Sequence, residues 1–138
     1  MTTVFADTYY YLALLNEADE DHARVAAWTA QFGGRIVTTD AVLTEVADGL
    51  SRGAGRGAAV RLIRDLMRDP AVTVVGVDRA LFEAGLDLYD KRPDKDWSLT
   101  DCISFVVMER DQIDQALTAD HHFHQAGFTA LLTSDATR

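Results

Sequence analysis

The stretch Asp-Trp-Ser-Leu-Thr-Asp-Cys-Ile-Ser-Phe-Val-Val-Met, residues 96–108, decides how the rest of the chain must fold. As a helix, its second half is apolar on nearly every side apart from one serine, so other elements must cover it all round. Asp101 then lies in the first turn of a buried helix. Ser98 as the N-cap, with Asp101 three residues later, gives a capping-box pattern, and that structural role alone would account for this acid.

Strand-like and helix-like segments alternate along the whole chain. The predicted strands are residues 2–6, 35–38, 72–77, 116–119 and 128–132. The predicted helices are residues 8–15, 19–32, 40–50, 58–68, a segment from the Asp78 cap to about Tyr89, the opening stretch, and a short helix after Asp120. The alternation predicts one α/β domain over residues 1–138, a three-layer α/β/α sandwich around a parallel sheet of about five strands. Between the third and fourth helices, Gly53, Gly55 and Gly57 predict a flexible connector, and a polar tail is expected after residue 132.

Composition and charge limit the function. No apolar run approaches the ~20 residues that cross a membrane, and no basic segment followed by a long apolar one begins the chain, so we expect no membrane association. The single cysteine, Cys102, excludes an intramolecular disulfide and fits a cytoplasmic protein. The net charge of −9 argues against a simple electrostatic nucleic-acid binder, so cations must help if the protein handles phosphates.

Acidic side chains occur at several of the predicted junctions. Asp7 directly follows the first strand and Asp120 the fourth, and carboxyl ends of parallel strands share one edge of a sheet. Glu45 borders the apolar stripe of the third helix, and Asp101 begins the buried one. For each acid, an ordinary role as a helix cap or a solvated flank remains open.

If these four carboxylates meet in one cleft, they repel one another and lose hydration, and a hard divalent cation relieves both costs. Oxygen-only ligands select Mg²⁺ or Mn²⁺, which also bind phosphates. The matching chemistry is metal-assisted hydrolysis of a phosphodiester.

Basic and imidazole side chains form two further groups. Arginines are concentrated between residues 52 and 68, where they form either a solvated helix face or a surface for a phosphate backbone: Arg52, Arg56, Arg61, Arg64 and Arg68. Three histidines follow Asp120 and suggest zinc: His121, His122 and His124. They lack matching ligands elsewhere in the sequence, and adjacent histidines should point to different faces of a helix, so we expect a surface role for them.

The ordered acids and their contexts resemble the PIN domain family. The contexts are Phe-Ala-Asp-Thr at 5–8, Val-Leu-Thr-Glu-Val at 42–46, Trp-Ser-Leu-Thr-Asp-Cys at 97–102, Thr-Ala-Asp at 118–120 and Ala-Gly-Phe at 126–128. The pattern is most similar to VapC-type toxins of bacterial toxin–antitoxin pairs. The resemblance implies a Mg²⁺-dependent endoribonuclease, usually a homodimer, that a small antitoxin encoded beside it silences.

The resemblance also assigns roles to particular residues. It implies that the metal-binding and catalytic acids are Asp7, Glu45, Asp101 and Asp120. It implies that polar supports come from Thr8, Ser98 and Thr100, with Asp96 as a further outer acid. Two alternatives stay open, a degenerate PIN domain that binds RNA or protein without cleaving, and an RNA-processing nuclease without an antitoxin. The presence of all four acids counts against the first.

Overall fold

A parallel five-stranded sheet lies at the centre of the protein, which we describe over residues 2–133 of a computed structural model. The strands are β1 (Thr3–Ala6), β2 (Arg35–Thr39), β3 (Val72–Val75), β4 (Gln115–Leu117) and β5 (Thr129–Ala130). Their order across the sheet is β3-β2-β1-β4-β5, and every neighbouring pair is parallel. The predicted α/β class with a parallel sheet of about five strands is therefore confirmed.

Helices form the connections between the strands. They are α1 (Thr8–Leu15), α2 (His22–Gln31), α3 (Asp40–Gly49), α4 (Gly55–Arg68), α5 (Arg79–Lys91), α6 (Leu99–Arg110) and α7 (His121–Gln125). Over residues 2–133, no helix is both long and apolar enough to cross a membrane. The polar tail predicted after residue 132 lies, from residue 134 onward, outside the described residues.

β3 and β5 are shorter than predicted by two residues or more, because the chain finds other hydrogen-bond partners at their ends, whereas β1 and β4 are each shorter by a single residue. β3 ends at Val75, and the N–H of Val77 then donates to Oδ2 of Asp40 at the start of α3 over 3.2 Å. β5 has only two residues, although Leu132 N–H still reaches the carbonyl of Thr118 over 3.0 Å. The carboxyl edge of the sheet is thus built from short strands and bonded turns.

Two helices begin at other residues than predicted. α2 starts at His22, and not at Asp19, because the Asp19 carboxylate accepts the N–H of Asp21 over 2.8 Å and holds a turn there. α4 starts at Gly55, three residues before the predicted start, so the prediction of a flexible connector through Gly57 is wrong. A Cβ atom at Gly55 would lie 3.0 Å from the carbonyl oxygen of Leu50, so the absence of a side chain lets the helix begin close to the preceding backbone.

The opening stretch forms α6, which is buried along most of its length as predicted. Its buried side chains include Cys102, Ile103, Phe105, Val107 and Met108. α5 packs closely on α6 at Gly85, where a Cβ atom would lie only 2.5 Å from Cγ1 of Ile103.

The strand order reverses beside β1, the first strand in sequence. The chain moves from β1 to β2 and β3 on one side, then crosses to β4 and β5 on the other. In open α/β sheets, ligands bind in the crevice outside the carboxyl ends of the strands at such a reversal. A functional site is therefore expected at the carboxyl ends of β1 and β4.

Candidate active site

Asp7 lies at this crevice, directly after β1. Its backbone N–H donates to the carbonyl of Leu117 at the end of β4 over 3.4 Å. Its Oδ2 accepts a hydrogen bond of 3.0 Å from Oγ1 of Thr118, a fully buried side chain. Asp7 occupies the N-cap position of α1, but its side chain makes no capping hydrogen bond. A capping role therefore does not explain this buried acid.

The surroundings of Asp7 disfavour its charged form. The residue is only 5% exposed. Burial, with smaller contributions from the charges of Asp101 and Asp120, raises the pKa of Asp7 to about 7. Hydrogen bonding by the Thr8 backbone and, to a smaller extent, by the Thr118 side chain lowers this pKa. The fold thus holds a carboxyl group where it is costly to ionise without a nearby cation.

Asp101 serves as a helix cap and also belongs to the acid cluster. The predicted capping box is present, since Ser98 Oγ accepts the N–H of Asp101 over 3.0 Å and Asp101 Oδ2 accepts the N–H of Ser98 over 3.2 Å. The same Oδ2 accepts a 3.0 Å hydrogen bond from Nδ1 of His122. Burial raises the pKa of Asp101, and the charge of Asp120 raises it further. Both roles considered from the sequence are therefore compatible in one side chain.

Asp120 caps α7 and brings a histidine into the cluster. Its Oδ1 accepts the backbone N–H of His122 over 2.9 Å, and Nδ1 of His122 lies 3.4 Å from the same oxygen. The His122 side chain is only 19% exposed, so the surface role expected for it is wrong. His121 and His124 are exposed as expected, but the His121 and His122 rings lie side by side, 4.5 Å apart, and do not point to different faces.

Glu45 joins the cluster through Thr8. Oγ1 of Thr8 donates to Oε1 of Glu45 over 2.7 Å, and Thr8 directly follows Asp7 in the chain. Glu45 is half-buried, in agreement with its position at the border of an apolar stripe. Among the acids of residues 2–133, Asp101 and Asp120 are the ones whose charge contributes to the raised pKa of Asp7. The arrangement is therefore three electrostatically coupled acids with a fourth attached through a threonine.

The predicted supporting residues divide into two groups. Thr8 and Ser98 contact site acids directly. The Thr100 side chain and the exposed Asp96 make no hydrogen bond to a site acid in the described part of the chain. The sequence analysis did not predict Thr118 as a site residue. Its position in the Thr-Ala-Asp motif, at the end of a buried strand, could have identified it.

The arginines selected from the sequence lie on the surface. Arg52, Arg56, Arg61 and Arg64 are exposed, and none of them forms an ion pair with an acidic side chain between residues 2 and 133. Arg56 donates to the carbonyl of Ser51 over 2.8 Å. α4, which carries three of them, packs against α3, the helix that carries Glu45.

The donor set of the cluster fits a divalent cation. In Glu45, Asp101 and Asp120, one carboxylate oxygen accepts a hydrogen bond, and the other accepts none within the described residues. Each side chain is thus oriented by the protein and keeps an oxygen for a ligand. Because Asp7 and Asp101 also have raised pKa values, a cation at this place would relieve a real electrostatic cost.

The fold and the acid cluster define a class of protein, and the chain belongs to the PIN domain family, which matches residues 4–129. It is 30% identical, over 91% of this chain and 95% of the relative, to the 23S rRNA-specific endonuclease VapC20 of two Mycobacterium tuberculosis strains. The resemblance to VapC-type toxins is therefore confirmed.

Solved structures give the same result. The crystal structure of M. tuberculosis VapC20, described as a sarcin-ricin loop cleaving toxin, matches with a TM-score of 0.83 at 28% identity over 91% of this chain and 96% of that one. FitAcB from Neisseria gonorrhoeae, with a TM-score of 0.63 at 16% identity over 92% and 94%, shares the fold. So does FitAB bound to an IR36 DNA fragment, with a TM-score of 0.66 at 15% identity over 92% of each chain.

Proposed function

We propose that this protein is a metal-dependent endoribonuclease and the toxin of a VapBC-type toxin–antitoxin pair. The observation that carries the proposal is the buried acid cluster at the reversal of strand order, in a chain that is similar to VapC20 over nearly its whole length. Ionising the carboxyl groups of this cluster is unfavourable without a cation, and their free oxygens are oriented so that they can bind one. A metal-dependent phosphodiesterase requires such a site.

In this proposal, Asp7, Glu45, Asp101 and Asp120 hold Mg²⁺ or Mn²⁺. When bound, such a cation makes water a stronger nucleophile and stabilises charge on the phosphate. The protein supplies orientation, because Thr118 fixes one oxygen of Asp7 and Thr8 fixes one oxygen of Glu45. Asp101 is fixed through the Ser98 N–H and the His122 ring, so its other oxygen stays available.

We propose a structured RNA loop as the substrate. VapC20 is named for 23S rRNA and for the sarcin-ricin loop, so that loop is the first RNA to test. In a chain with a net charge of −9, the exposed Arg52, Arg56, Arg61 and Arg64 are the proposed contacts with the phosphate backbone.

We further propose a homodimer in the cytoplasm that a small antitoxin holds inactive. The VapC-type resemblance supports the antitoxin. The exposed Leu86 and Tyr89, three residues apart on α5, support the homodimer, since large apolar side chains are seldom left in water together.

A cleavage assay tests the enzyme. Untagged protein, freed of any partner, is incubated with a sarcin-ricin loop RNA and with an unrelated structured RNA, in Mg²⁺, in Mn²⁺ or in chelator. We expect cleavage of the loop RNA that requires the cation and is lost in Asp101→Asn but not in the exposed-surface variant Arg110→Ala. Binding of RNA without cleavage in either metal would favour the non-catalytic PIN domain.

An expression experiment tests the toxin. Production of the protein alone should slow growth, and co-production of a small protein encoded beside it should restore growth. RNA cleavage in vitro together with harmless expression would instead support a processing nuclease without an antitoxin.

A further inference from the structure

One end of the acid cluster carries nitrogen donors. Nδ1 of His122 lies 3.0 Å from Oδ2 of Asp101 and 3.4 Å from Oδ1 of Asp120. Nδ1 of His121 lies 3.8 Å from the same Asp120 oxygen. Ligand atoms of Asp120, His121 and His122 all lie within 4.8 Å of one another. The two imidazoles and the Asp120 carboxylate thus converge on one small volume, and Asp101 contacts this group through His122.

We propose that Asp120, His121 and His122 form a transition-metal site of the Zn²⁺ class, and that Asp101, which contacts His122, moves in as the fourth ligand. The sequence alone gives the three histidines no further metal ligands. In the folded chain, Asp101 and Asp120 lie beside His122 and supply them. The site shares Asp101 and Asp120 with the proposed Mg²⁺ or Mn²⁺ cluster, so the two ions compete.

The distances fit tetrahedral coordination. Ligand atoms at about 2.0–2.1 Å from a tetrahedral Zn²⁺ lie roughly 3.3 Å from one another. The spacings from His122 Nδ1 to the two acids, 3.0 and 3.4 Å, are close to that value. The 3.8 Å spacing to His121 is slightly long, but the His121 side chain is 74% exposed and free to rotate toward the ion. Four-coordinate binding therefore needs a rotation of His121 and a shift of Asp101 toward the ion.

Binding replaces a proton with the cation. In the metal-free protein, Nδ1–H of His122 donates to Asp101. When Zn²⁺ binds at Nδ1, the neutral ring changes tautomer: its proton moves by way of solvent from Nδ1 to Nε2, and the ion takes the vacated place between the ring and the carboxylates. Imidazole nitrogen favours Zn²⁺, Cu²⁺ and Ni²⁺ over Mg²⁺, so the nitrogen end and the oxygen end of the cluster select different metals.

A regulatory consequence follows, and this part rests on the proposed function. Zn²⁺ held by the histidines would occupy oxygens of Asp101 and Asp120 that the proposed cleavage reaction needs. Zn²⁺ would then inhibit RNA cleavage in the presence of Mg²⁺, and removal of His121 would relieve that inhibition without removing any acid.

Calorimetric titration of Zn²⁺ into untagged, metal-free, full-length protein tests the site. We expect one Zn²⁺ per chain, and affinity reduced about ten-fold or more in His121→Ala and in His122→Ala. His124→Ala is the matched control on the same helix and should bind Zn²⁺ as the natural sequence does. Because His121 is exposed, its replacement leaves the fold intact, and this can be checked by an unchanged melting temperature in chelator. Unchanged Zn²⁺ affinity in both site variants would overturn the proposal.

Co²⁺ gives a second, independent measurement. Nitrogen ligation in a four-coordinate site produces strong visible absorption, which should appear on titration of the natural sequence and of His124→Ala, and be weak in His121→Ala. Equal absorption in all three proteins would overturn the site. If Zn²⁺ binds through the histidines but no RNA is cleaved in any metal, the site stands and the proposed nuclease function fails, so the two failures are distinguishable.

Discussion

Asp7 makes the stability of the metal-free protein depend on pH. Its pKa is raised from 3.8 to about 7, so the folded chain holds the Asp7 proton more strongly than the unfolded chain does. The resulting stability is fully present below pH 3.8 and is lost as the pH rises through about 7. Each pKa unit corresponds to about 1.4 kcal/mol, so the whole difference is on the order of 4 kcal/mol.

We therefore expect the protein in chelator to melt at a higher temperature at pH 5 than at pH 8. Asp7→Asn should remove most of this difference, because the amide carries no titrating proton. The matched control is Asp94→Asn. It changes an exposed acid whose pKa the hydrogen bonds to Arg92 lower, so Asp94 is ionised at both pH values and the difference between pH 5 and pH 8 should stay as it is. Circular dichroism melting at several pH values measures both. If the melting temperature of Asp7→Asn still falls as much between pH 5 and pH 8, the pH dependence of stability does not come from Asp7.

Asp101 allows its two roles to be separated in one variant. Asn can still accept the N–H of Ser98 as a cap, but it carries no charge to repel Asp120. We expect Asp101→Asn to raise the melting temperature in chelator, to abolish stabilisation by Mg²⁺ or Mn²⁺, and to abolish RNA cleavage. A variant that melts lower in chelator and still cuts RNA would show that Asp101 is only a cap.

At the scale of single residues, local spacing decided what could be predicted. The Ser98–Asp101 capping box could be predicted because its partners are three residues apart. The Thr118–Asp7 hydrogen bond joins residues 111 positions apart, and no local pattern encodes it. The place of His122 depends on how α7 is turned against the start of α6, which its neighbours in sequence do not specify.

Gly85 sets the distance between α5 and α6. A Cβ atom there would meet Cγ1 of Ile103 at 2.5 Å and its Cα at 3.3 Å. We expect Gly85→Ala to lower the free energy of unfolding, since overpacking costs about 1–3 kcal/mol and exceeds the gain of up to about 1 kcal/mol in helix propensity.

The control for Gly85 is Gly57→Ala in α4. There the added methyl group would meet only the flexible end of Arg61, at 3.3 Å, so this variant should be neutral or more stable by up to about 1 kcal/mol. Urea denaturation of both variants gives the comparison. A stabilised Gly85→Ala protein would mean that α6 can shift away from α5 without cost.

The arginines of α4 should control how RNA binding responds to salt. Arg61 and Arg64 are exposed and have no acidic partner within residues 2–133, so phosphates would find them available. We expect Arg61→Ala with Arg64→Ala to weaken RNA binding and to reduce the slope of log K against log salt by about 1–2. Fluorescence anisotropy on the cleavage-deficient Asp101→Asn background measures this. An unchanged slope would place the RNA elsewhere, with Arg92 and Lys95 as the next candidates.

At the scale of elements, existence was easier to predict than boundaries. The burial of α6 follows from its composition, and the structure agrees. The starts of α2 and α4 differ because a single carboxylate bond at Asp19 and a close backbone contact at Gly55 outweigh propensity. Such contacts depend on the neighbouring turn and not on the periodicity of the helix itself.

For the whole molecule, the proposed homodimer requires that one exposed apolar surface be buried between two copies of the chain. Leu86 and Tyr89 of α5 are 44% and 50% exposed. We expect the double variant Leu86→Asp, Tyr89→Asp to be monomeric in sedimentation velocity, whereas the natural sequence sediments as a dimer. The comparison variant, Val60→Asp with Met67→Asp, changes exposed apolar residues of α4 and should remain dimeric. Dissociation of the α4 variant alone would move the interface to that helix.

The class of fold could be predicted because alternating strands and helices permit few arrangements other than a parallel sheet. The order of the strands could not, since nothing in β1 itself requires β2 on one side and β4 on the other. That order brings Asp7 and Asp120 together. The sequence therefore predicted that acids stand at strand ends, and the topology determined which ends meet.

The bond between Asp7 and Thr118 also has a consequence for synthesis on the ribosome. β1 is translated more than 100 residues before its neighbour β4, which begins at Gln115, and Asp120 follows still later. A nascent chain that has not yet exposed these residues holds Asp7 without Thr118, Asp120 or His122. Domains fold as their residues emerge from the exit tunnel. If the proposed target is ribosomal RNA, the nascent chain cannot cut it before residues 115–122 have left the tunnel.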